Sequence, residues 1–177
     1  MARIPRTDYP AAINGFNAYK NGSALIGVSG QVSLPTLEAI VASVTGAGIL
    51  GGIDVPVVGH FNNIPMTIPF VVLNDDIFEL LNPGDGVDLT LRGDIQALNQ
   101  QTGAVTHYGM RVVVRGYLQS FTPGNLQAAA AMDASITLNL SYILIEVNGS
   151  SKLEYDKLNW VYRVNGKDAL AEIRKNV

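Results

Sequence analysis

The stretch VTHYGMRVVVRGYLQSF, from Val105 to Phe121, decides the fold of this 177-residue chain. Its side chains alternate between two characters, one mainly apolar and one mainly polar or charged. The apolar parity consists of Tyr108, Met110, Val112, Val114 and Leu118, and the other parity of His107, Arg111, Val113, Arg115 and Tyr117. Because side chains two positions apart share one face of a pleated strand, the pattern predicts a long strand with a core face and an exposed face.

Two further stretches predict the neighbours of this strand in a mainly β fold. ITLNLSYILIEV alternates as well, and its apolar parity consists of Ile136, Leu138, Leu140, Tyr142 and Leu144. VDLTLRGDIQAL, from Val87 to Leu98, alternates less regularly and ends at a polar tip just before the opening strand. A long hairpin between these two segments is therefore expected at the middle of a sheet.

Shorter signals predict the turns and the two helices. Asn-Gly pairs begin at Asn21, Asn148 and Asn165, and such pairs between alternating segments are typical of tight hairpin turns. Asn74 precedes the apolar stripe of IFELLN, which predicts a short capped helix on the sheet. DALAEIRK, from Asp168 to Lys175, places acid early and base late, and so predicts an amphipathic C-terminal helix.

The composition points to a surface that is buried in an assembly. Hydrophobic residues make up 47% of the chain and charged residues only 15%. Such a chain favours burial of its surface against other subunits, and self-assembly is the simplest explanation. The net charge of −3 comes without any cluster of Lys and Arg, which argues against a dedicated nucleic-acid-binding face.

Several residue types and motifs that would indicate a cellular compartment or a chemical reaction are absent from the sequence. The chain contains no cysteine, which excludes disulfides and thiolate chemistry. The N-terminal sequence lacks the apolar centre of a signal peptide, so we expect a protein made and kept in the cytosol or in a particle assembled there. His60 and His107 do not have the spacing of paired metal ligands, and no serine elbow is present. The chain is predicted not to be an enzyme, and no cofactor is expected.

Gly46, Gly48 and Gly51 match the G-x-G-x-x-G dinucleotide fingerprint. That fingerprint works only where a strand passes into a helix whose N-terminus meets the pyrophosphate. The sequence that follows, IDVPVVGHFNNIP, has prolines and β-branched residues and does not predict such a helix. A flexible glycine loop is the better interpretation. The preceding segment, Leu37 to Thr45, fits either a helix or a strand.

Two groups of arginines are candidates for contacts. Arg3 and Arg6 lie in residues 1–13, a segment with little periodicity that is interpreted either as an arm ordered by a neighbour or as a frayed terminus. Arg111 and Arg115 share one face of the opening strand. A hairpin or intersubunit salt bridge is the favoured role for this pair, ahead of phosphate binding.

A series of short motifs, taken in order, resembles one known family. They are Val32-Ser-Leu-Pro35 with Leu37 and Glu38, Gly46-Ala-Gly48, Val112-Val-Val-Arg115-Gly116, Thr122-Pro-Gly124, Glu146-Val-Asn-Gly149, Asp156-Lys-Leu-Asn159, and Val164-Asn-Gly-Lys-Asp168 with Leu170 and Arg174-Lys-Asn176. In this order and length the chain resembles the major tail tube proteins of P2-like contractile-tailed phages, a family that also supplies the inner tube of R-type tail-like bacteriocins. The resemblance covers residues 14–177, the expected tube domain.

The resemblance implies an antiparallel β-sandwich or partly open barrel, whose subunits join as hexameric rings with a ring-wide β-barrel. Stacked rings then form a tube that conducts DNA and is moved by a contracting sheath. The implied partners are further copies of the chain, the tail sheath protein, the tape measure protein, the baseplate and the tail terminator. The implied location is a virion assembled in the bacterial cytoplasm. Alternatives are the tube of an R-type bacteriocin or type VI-like injection machine and, in another class, a solitary β-sandwich ligand-binding module.

The contacts between subunits and rings are expected to involve the arm and the glycine segment. The candidate residues are Arg3, Arg6, Gly46, Gly48, Gly51, Arg111 and Arg115. Because a DNA channel should repel phosphate, its lining is expected to be acidic or neutral and polar. The two strand arginines are therefore expected to face a neighbouring layer and not the lumen.

Overall fold

The computed structural model describes residues 4–82 and 84–177 and confirms a mainly β, antiparallel fold. Its elements are β1 (Asp8–Lys20), β2 (Ser23–Ala24), β3 (Ala39–Val44), β4 (Ile53–Phe61), β5 (Pro65–Phe70), α1 (Asp75–Glu79), β6 (Val87–Asn99), β7 (Val105–Thr122), β8 (Ala134–Val147), β9 (Ser150–Asp156), β10 (Val161–Val164), β11 (Lys167–Asp168) and α2 (Ile173–Asn176).

The main sheet is organised around the long hairpin of β6 and β7. Its strand order is β11-β10-β9-β8-β7-β6-β1-β2, and β5 pairs with the first half of β8. Leu89 lies opposite Val114, and Asp88 lies opposite Arg115, so the register keeps apolar and charged side chains on separate faces. The predicted hairpin is confirmed. The described strands form an open sheet and not a closed barrel.

One continuous core lies on a single face of this sheet. Val112 and Val114 from the opening strand are fully buried there, together with Leu89 of β6. Ile68 of β5 and Ile77 of α1 pack into the same core, so these two elements cover the sheet. Burying an aliphatic side chain of this size contributes about 1.5–3 kcal/mol each. The core side of the sheet is thus closed by the subunit itself.

The predicted alternation of β8 holds for its first half and fails in its second. The ladder between β7 and β8 is irregular where Arg115 pairs with Tyr142 and Gly116 with Leu140. One residue of β8 is left over at this point, and such a bulge reverses the faces of the following side chains. Ile143 is therefore buried in the core, whereas Tyr142 turns to the opposite face. A side chain at Gly116 would overlap the backbone of β8, which explains the glycine at the bulge.

The capped helix α1 is confirmed, and it also fixes a loop. The Asn74 side chain accepts a hydrogen bond from the Ile77 backbone N–H at 3.2 Å, which satisfies a free donor of the first turn. The same side chain donates to the Ile26 carbonyl at 2.7 Å, and Asp76 accepts from the Ile26 N–H at 2.7 Å. The helix cap thus ties the segment after β2 to the core.

The predicted C-terminal helix is much shorter than expected. Instead of running from Asp168 to Lys175, the helix α2 covers only Ile173–Asn176. Asp168 pairs with β10 as part of β11, and its carboxylate accepts hydrogen bonds from the Leu170 N–H and the Arg174 guanidinium. These bonds hold a turn where the helix was predicted to begin, and Leu170 is buried next to Gly59.

The N-terminal segment is more ordered than the arm predicted for residues 1–13. Asp8, Pro10 and Ile13 pair with β6 as the first half of β1. The prediction of an unpaired arm is wrong for residues 8–13, because polar partners at the tip of the β6–β7 hairpin hold the strand in place. Arg3 lies outside the described residues.

The glycine segment is the tip of a separate hairpin. Residues 37–45, ambiguous in sequence, contain strand β3, which pairs only with β4 among the described strands. Gly46, Gly48 and Gly51 lie in the connection between these two antiparallel strands. The interpretation as a glycine loop is confirmed, and the strand-to-helix geometry of a dinucleotide site is not present at this motif.

Candidate assembly interface

The β3–β4 hairpin exposes a dense set of apolar side chains. Seven large aliphatic residues of its two strands are between 38% and 54% exposed: Ile40, Val41, Val44, Ile53, Val55, Val57 and Val58. In the register of the hairpin, Val44 lies opposite Ile53 and Ala42 opposite Val55, so these four share one apolar face. Ser43 and Asp54 form the opposite face. Leu50 at the tip is fully exposed.

The hairpin is anchored at its base and unsupported along its length. The Phe61 ring packs edge-on against Tyr155 and Tyr162, with centroids 4.9 Å and 5.3 Å away. The Tyr155 hydroxyl donates to the Gly59 carbonyl at 3.2 Å. Beyond this anchor the two strands form their own two-stranded sheet. A lone two-stranded hairpin is only marginally stable in water, so burial of its apolar face against further protein would stabilise it.

The candidate glycines lie at the tip and differ in backbone conformation. Gly48 and Gly51 have φ of 95° and 97°, a region that other residues rarely adopt. A Cβ added at Gly46, Gly48 or Gly51 would meet no heavy atom within 4 Å. The tip therefore has open space around it in the subunit. Its role in ring contacts stays a prediction.

Asp8 anchors the start of β1, a role that no local pattern in the sequence indicates. Its carboxylate is buried and accepts hydrogen bonds from Asn99 at 2.7 Å, Thr106 at 3.0 Å and the Tyr108 hydroxyl. These bonds, led by the one from Tyr108, hold the pKa of Asp8 below its ordinary value. The partners are more than 90 residues away in the chain, so no local spacing indicates them. Arg6, two residues earlier, is exposed.

The outer edge of β1 is open in the subunit. Strand β1 pairs with β6 from Asp8 to Lys20, but on its other side only Tyr19 and Lys20 pair with a described strand, β2. An open strand edge is a template for pairing with another chain. Pro10 fits an edge position because it has no N–H to offer to a second neighbour.

Arg111 and Arg115 take part in salt bridges within the β6–β8 strands. The Arg111 Nε lies 2.7 Å from Glu146, and the Arg115 Nε lies 2.6 Å from Asp88. The Arg115 guanidinium also stacks over the Tyr142 ring at 4.6 Å. Hydrogen bonds to Glu146 and Asp88 raise the pKa of Arg111 and Arg115, respectively. The shared face and the hairpin salt bridge are thus observed, and an intersubunit role for these arginines stays a prediction.

Within the described ranges, no group of three or more His, Asp or Glu side chains has the arrangement of a metal site. Nor does any described helix have the length and apolar character needed to cross a membrane.

Comparison with known proteins agrees with an assembling β subunit. A family model described as phage tail tube protein FII matches residues 10–177. The tail tube protein of Escherichia phage P2 is 25% identical to this chain over 171 residues, which cover 95% of this chain and 97% of that protein.

Proposed function

Because this chain belongs to the phage tail tube protein FII family, we propose that it polymerises as stacked hexameric rings that form the DNA channel of a contractile phage tail. A structural role in a phage tail tube follows from the family itself. The ring number, the stacking and the passage of DNA are the proposed details. The ring-wide β-barrel belongs to the same proposal.

The observation that carries the proposal is the bare apolar face of the β3–β4 hairpin. Val44, Ile53 and Val55 share this face and are about half exposed. Apolar burial at about 25 cal/mol per Å² favours covering such a face with protein. A second copy of the chain is the partner that the tail tube family favours. The hairpin therefore serves as the main contact with a neighbouring subunit.

The open edge of β1 supports closure of a ring. An edge that continues into the next subunit removes the exposed backbone donors and acceptors of an open sheet. In this arrangement the sheets of the subunits join side by side, while the hairpin reaches beyond its own subunit. Arg6 lies two residues before the start of β1, the strand with this open edge.

The remaining partners follow from the place of a tube in a tail. The outside of the tube meets the sheath protein, the inside holds the tape measure protein before DNA passes, and the ends meet the baseplate and the terminator. Assembly in the bacterial cytoplasm and location in the virion complete the proposal.

Paired substitutions on the two faces of the hairpin test the proposal. Val55→Lys places a charge on the apolar face, and Ser43→Lys places the same charge on the opposite face as a matched control. Loss of one buried valine contact costs about 1.5–3 kcal/mol, or about 10- to 150-fold in the association constant. Negative-stain electron microscopy of concentrated protein should show tubes for wild type and Ser43→Lys, and dispersed subunits for Val55→Lys.

Circular dichroism and thermal unfolding of both variants check that the subunit stays folded. Normal tubes from Val55→Lys would contradict the assigned contact, and dispersed wild-type particles at every concentration would contradict the tube function itself.

A further inference from the structure

The face of the main sheet opposite the core carries a row of cross-strand pairs, each of one arginine or histidine with one carboxylate. Four pairs of side chains form this paired face: Arg115 with Asp88 at 2.6 Å, Arg111 with Glu146 at 2.7 Å, His107 with Asp94 at 2.7 Å and Arg163 with Glu154 at 3.1 Å. Each pair joins two neighbouring strands or residues of one hairpin. The acidic partners hold every one of these arginines at hydrogen-bonding distance.

The charges on the paired face nearly cancel. Arg92 also lies on it and stacks over the Tyr19 ring at 5.4 Å. Asp156, opposite Tyr142, adds one more carboxylate. Among the described strand residues, the face thus carries six carboxylates, with Asp168 opposite Arg163, and four arginines, in addition to His107. The charges on the face therefore nearly cancel, with a small excess of carboxylates.

The two sides of the sheet expose different kinds of side chain. The core side is covered by β5 and α1, and about half of each of Val71 and Val72, in the connection between these elements, and of Phe78 in α1 is exposed. On the paired face the large apolar side chains that are similarly exposed, Tyr9, Leu98, Val105 and Tyr117, lie at the two ends of the β6–β7 hairpin, so the middle of the face is polar. Apolar patches suit contact with protein, whereas a water-filled channel requires a polar wall. If the sheets of a ring join edge to edge, the covered side becomes the outside, and the paired face becomes the inside.

We propose that the paired face lines the DNA channel, and that its acidic side chains keep Arg111, Arg115 and Arg163 from binding the passing duplex. The inference rests on the tube function proposed above and assigns the channel wall to named residues. It reverses the expectation that the arginines face a neighbouring layer.

The physical reason is competition between carboxylate and phosphate. DNA binding gains free energy when free Lys or Arg side chains neutralise phosphates and release counterions. A guanidinium already held by a carboxylate at 2.6–2.7 Å has to give up that partner before it can bind a phosphate. A tube repeats each arginine in every subunit, so even weak binding by unpaired arginines would add up along the channel. Pairing with carboxylates prevents this binding of DNA while the arginines remain in the wall.

The test removes the carboxylate partners of two arginines in assembled tubes. Asp88→Asn with Glu146→Gln removes the partners of Arg115 and Arg111 with little change in shape. Asp75→Asn with Asp85→Asn is the matched control, because it makes the same change of charge at two carboxylates outside the strands of the paired face. Thr90→Arg, which adds an unpaired arginine to the paired face and removes no carboxylate, is a second and independent variant.

Tubes are sedimented with two DNA probes at low salt. A short linear duplex can enter the lumen, and a supercoiled plasmid circle is restricted to the outside. Wild type and control should retain neither probe. The Asp88→Asn/Glu146→Gln and Thr90→Arg tubes should retain the linear duplex at least tenfold more than wild type, should lose it as salt rises, and should leave the plasmid in solution.

Three results would overturn the inference. Retention of the plasmid would place the arginines outside the tube, and retention of neither probe would show that the carboxylates do not restrain them. Loss of tubes only in variants of the paired face would make that face a subunit contact. By contrast, failure of wild type to form tubes would contradict the proposed function, so the two failures are distinguishable by microscopy.

Discussion

At the scale of single residues, Asp8 joins the start of the chain to the far tip of the main hairpin. Its carboxylate accepts hydrogen bonds from side chains of β6 and β7 that lie more than 90 residues away in sequence. Hydrogen bonds to an ionised carboxylate are stronger than those between neutral groups. A single charged group thus fixes where β1 begins and which part of the N-terminal segment belongs to the sheet.

Asp8→Asn should lower stability in a pH-dependent way. Since hydrogen bonds lower the pKa of Asp8 in the folded state, its ionised form contributes stability above the unfolded value near 3.8, and this is lost as the pH falls through the folded pKa. Urea unfolding should therefore show a lower midpoint for Asp8→Asn than for wild type at pH 7, with the difference shrinking in acid. Asp54→Asn, a change to a carboxylate on the exposed hairpin, is the control. A difference that stays constant with pH would rule out the role of the charge.

Glycine substitutions at the hairpin tip should separate conformation from contact. Gly48 has a φ of 95°, where valine is strained by about 1–3 kcal/mol, whereas Gly46 lies outside the region of positive φ. Gly48→Val should weaken tube formation and leave the unfolding midpoint of the main sheet unchanged. Gly46→Val should weaken tube formation less than Gly48→Val does, because Gly46 is free of this backbone strain. The concentration at which tubes appear in the microscope is the measurement, and equal effects of both variants would show that backbone strain is not the cause.

At the scale of elements, the features predicted correctly are those decided by neighbours in sequence. Asn21, Asn148 and Asn165 each have φ of 50°, and each following glycine is also at positive φ, as a tight hairpin turn requires. The alternation of the opening strand and the cap at Asn74 are equally local. Strand, turn and helix start were predictable here because the controlling interactions span a few residues.

The features predicted wrongly depend on distant partners. Asp168 favours a helix start by its local sequence, but its bonds to Arg174 and the Leu170 N–H fix a turn instead. The face reversal after the β8 bulge depends on the approach of Gly116 to the backbone of β8. The same distinction applies to the candidate site. The glycine tip of the hairpin is predictable from the local sequence. The acidic partners of Arg111 and Arg115 are not, because they depend on the register of three strands.

Two truncations should separate the arm from the sheet. Removal of residues 1–6 deletes Arg6 and leaves Asp8 and β1 in place, so the melting temperature should stay unchanged while tube formation weakens. Removal of residues 1–12 also deletes Asp8 and the first pairs of β1. It should lower the melting temperature by roughly 5–10 °C, the shift that about 2–3 kcal/mol produces in a domain of this size. Normal tubes from the variant that lacks residues 1–6 would show that these residues are dispensable for the stacking of rings.

At the scale of the whole molecule, the charged and the apolar surfaces differ in whether their side chains find partners within the subunit. The ion pairs of the paired face are satisfied within one subunit, and exposed pairs of this kind contribute only about 0.2–1 kcal/mol each to stability. Within residues 4–82 and 84–177, the β3–β4 hairpin has no such internal partner for its apolar face. A contact between unlike surfaces of identical subunits generates rings or filaments rather than closed dimers. The apolar surface of the subunit is thus available for the proposed assembly, whereas its charged side chains are mostly paired within the subunit.

This division predicts how assembly responds to salt. Raising ionic strength from about 0.1 M to about 1 M shortens the screening length from about 10 Å to about 3 Å, which weakens charge contacts between subunits. Apolar contacts persist under these conditions, and sulfate strengthens them. The concentration needed for tube formation, measured by light scattering and checked by microscopy, should stay constant or fall with sodium chloride and fall further with sulfate. Dissolution of tubes at high sodium chloride would instead assign the contact between subunits to charged side chains such as Arg6. The hairpin would then not be the main source of the free energy of assembly.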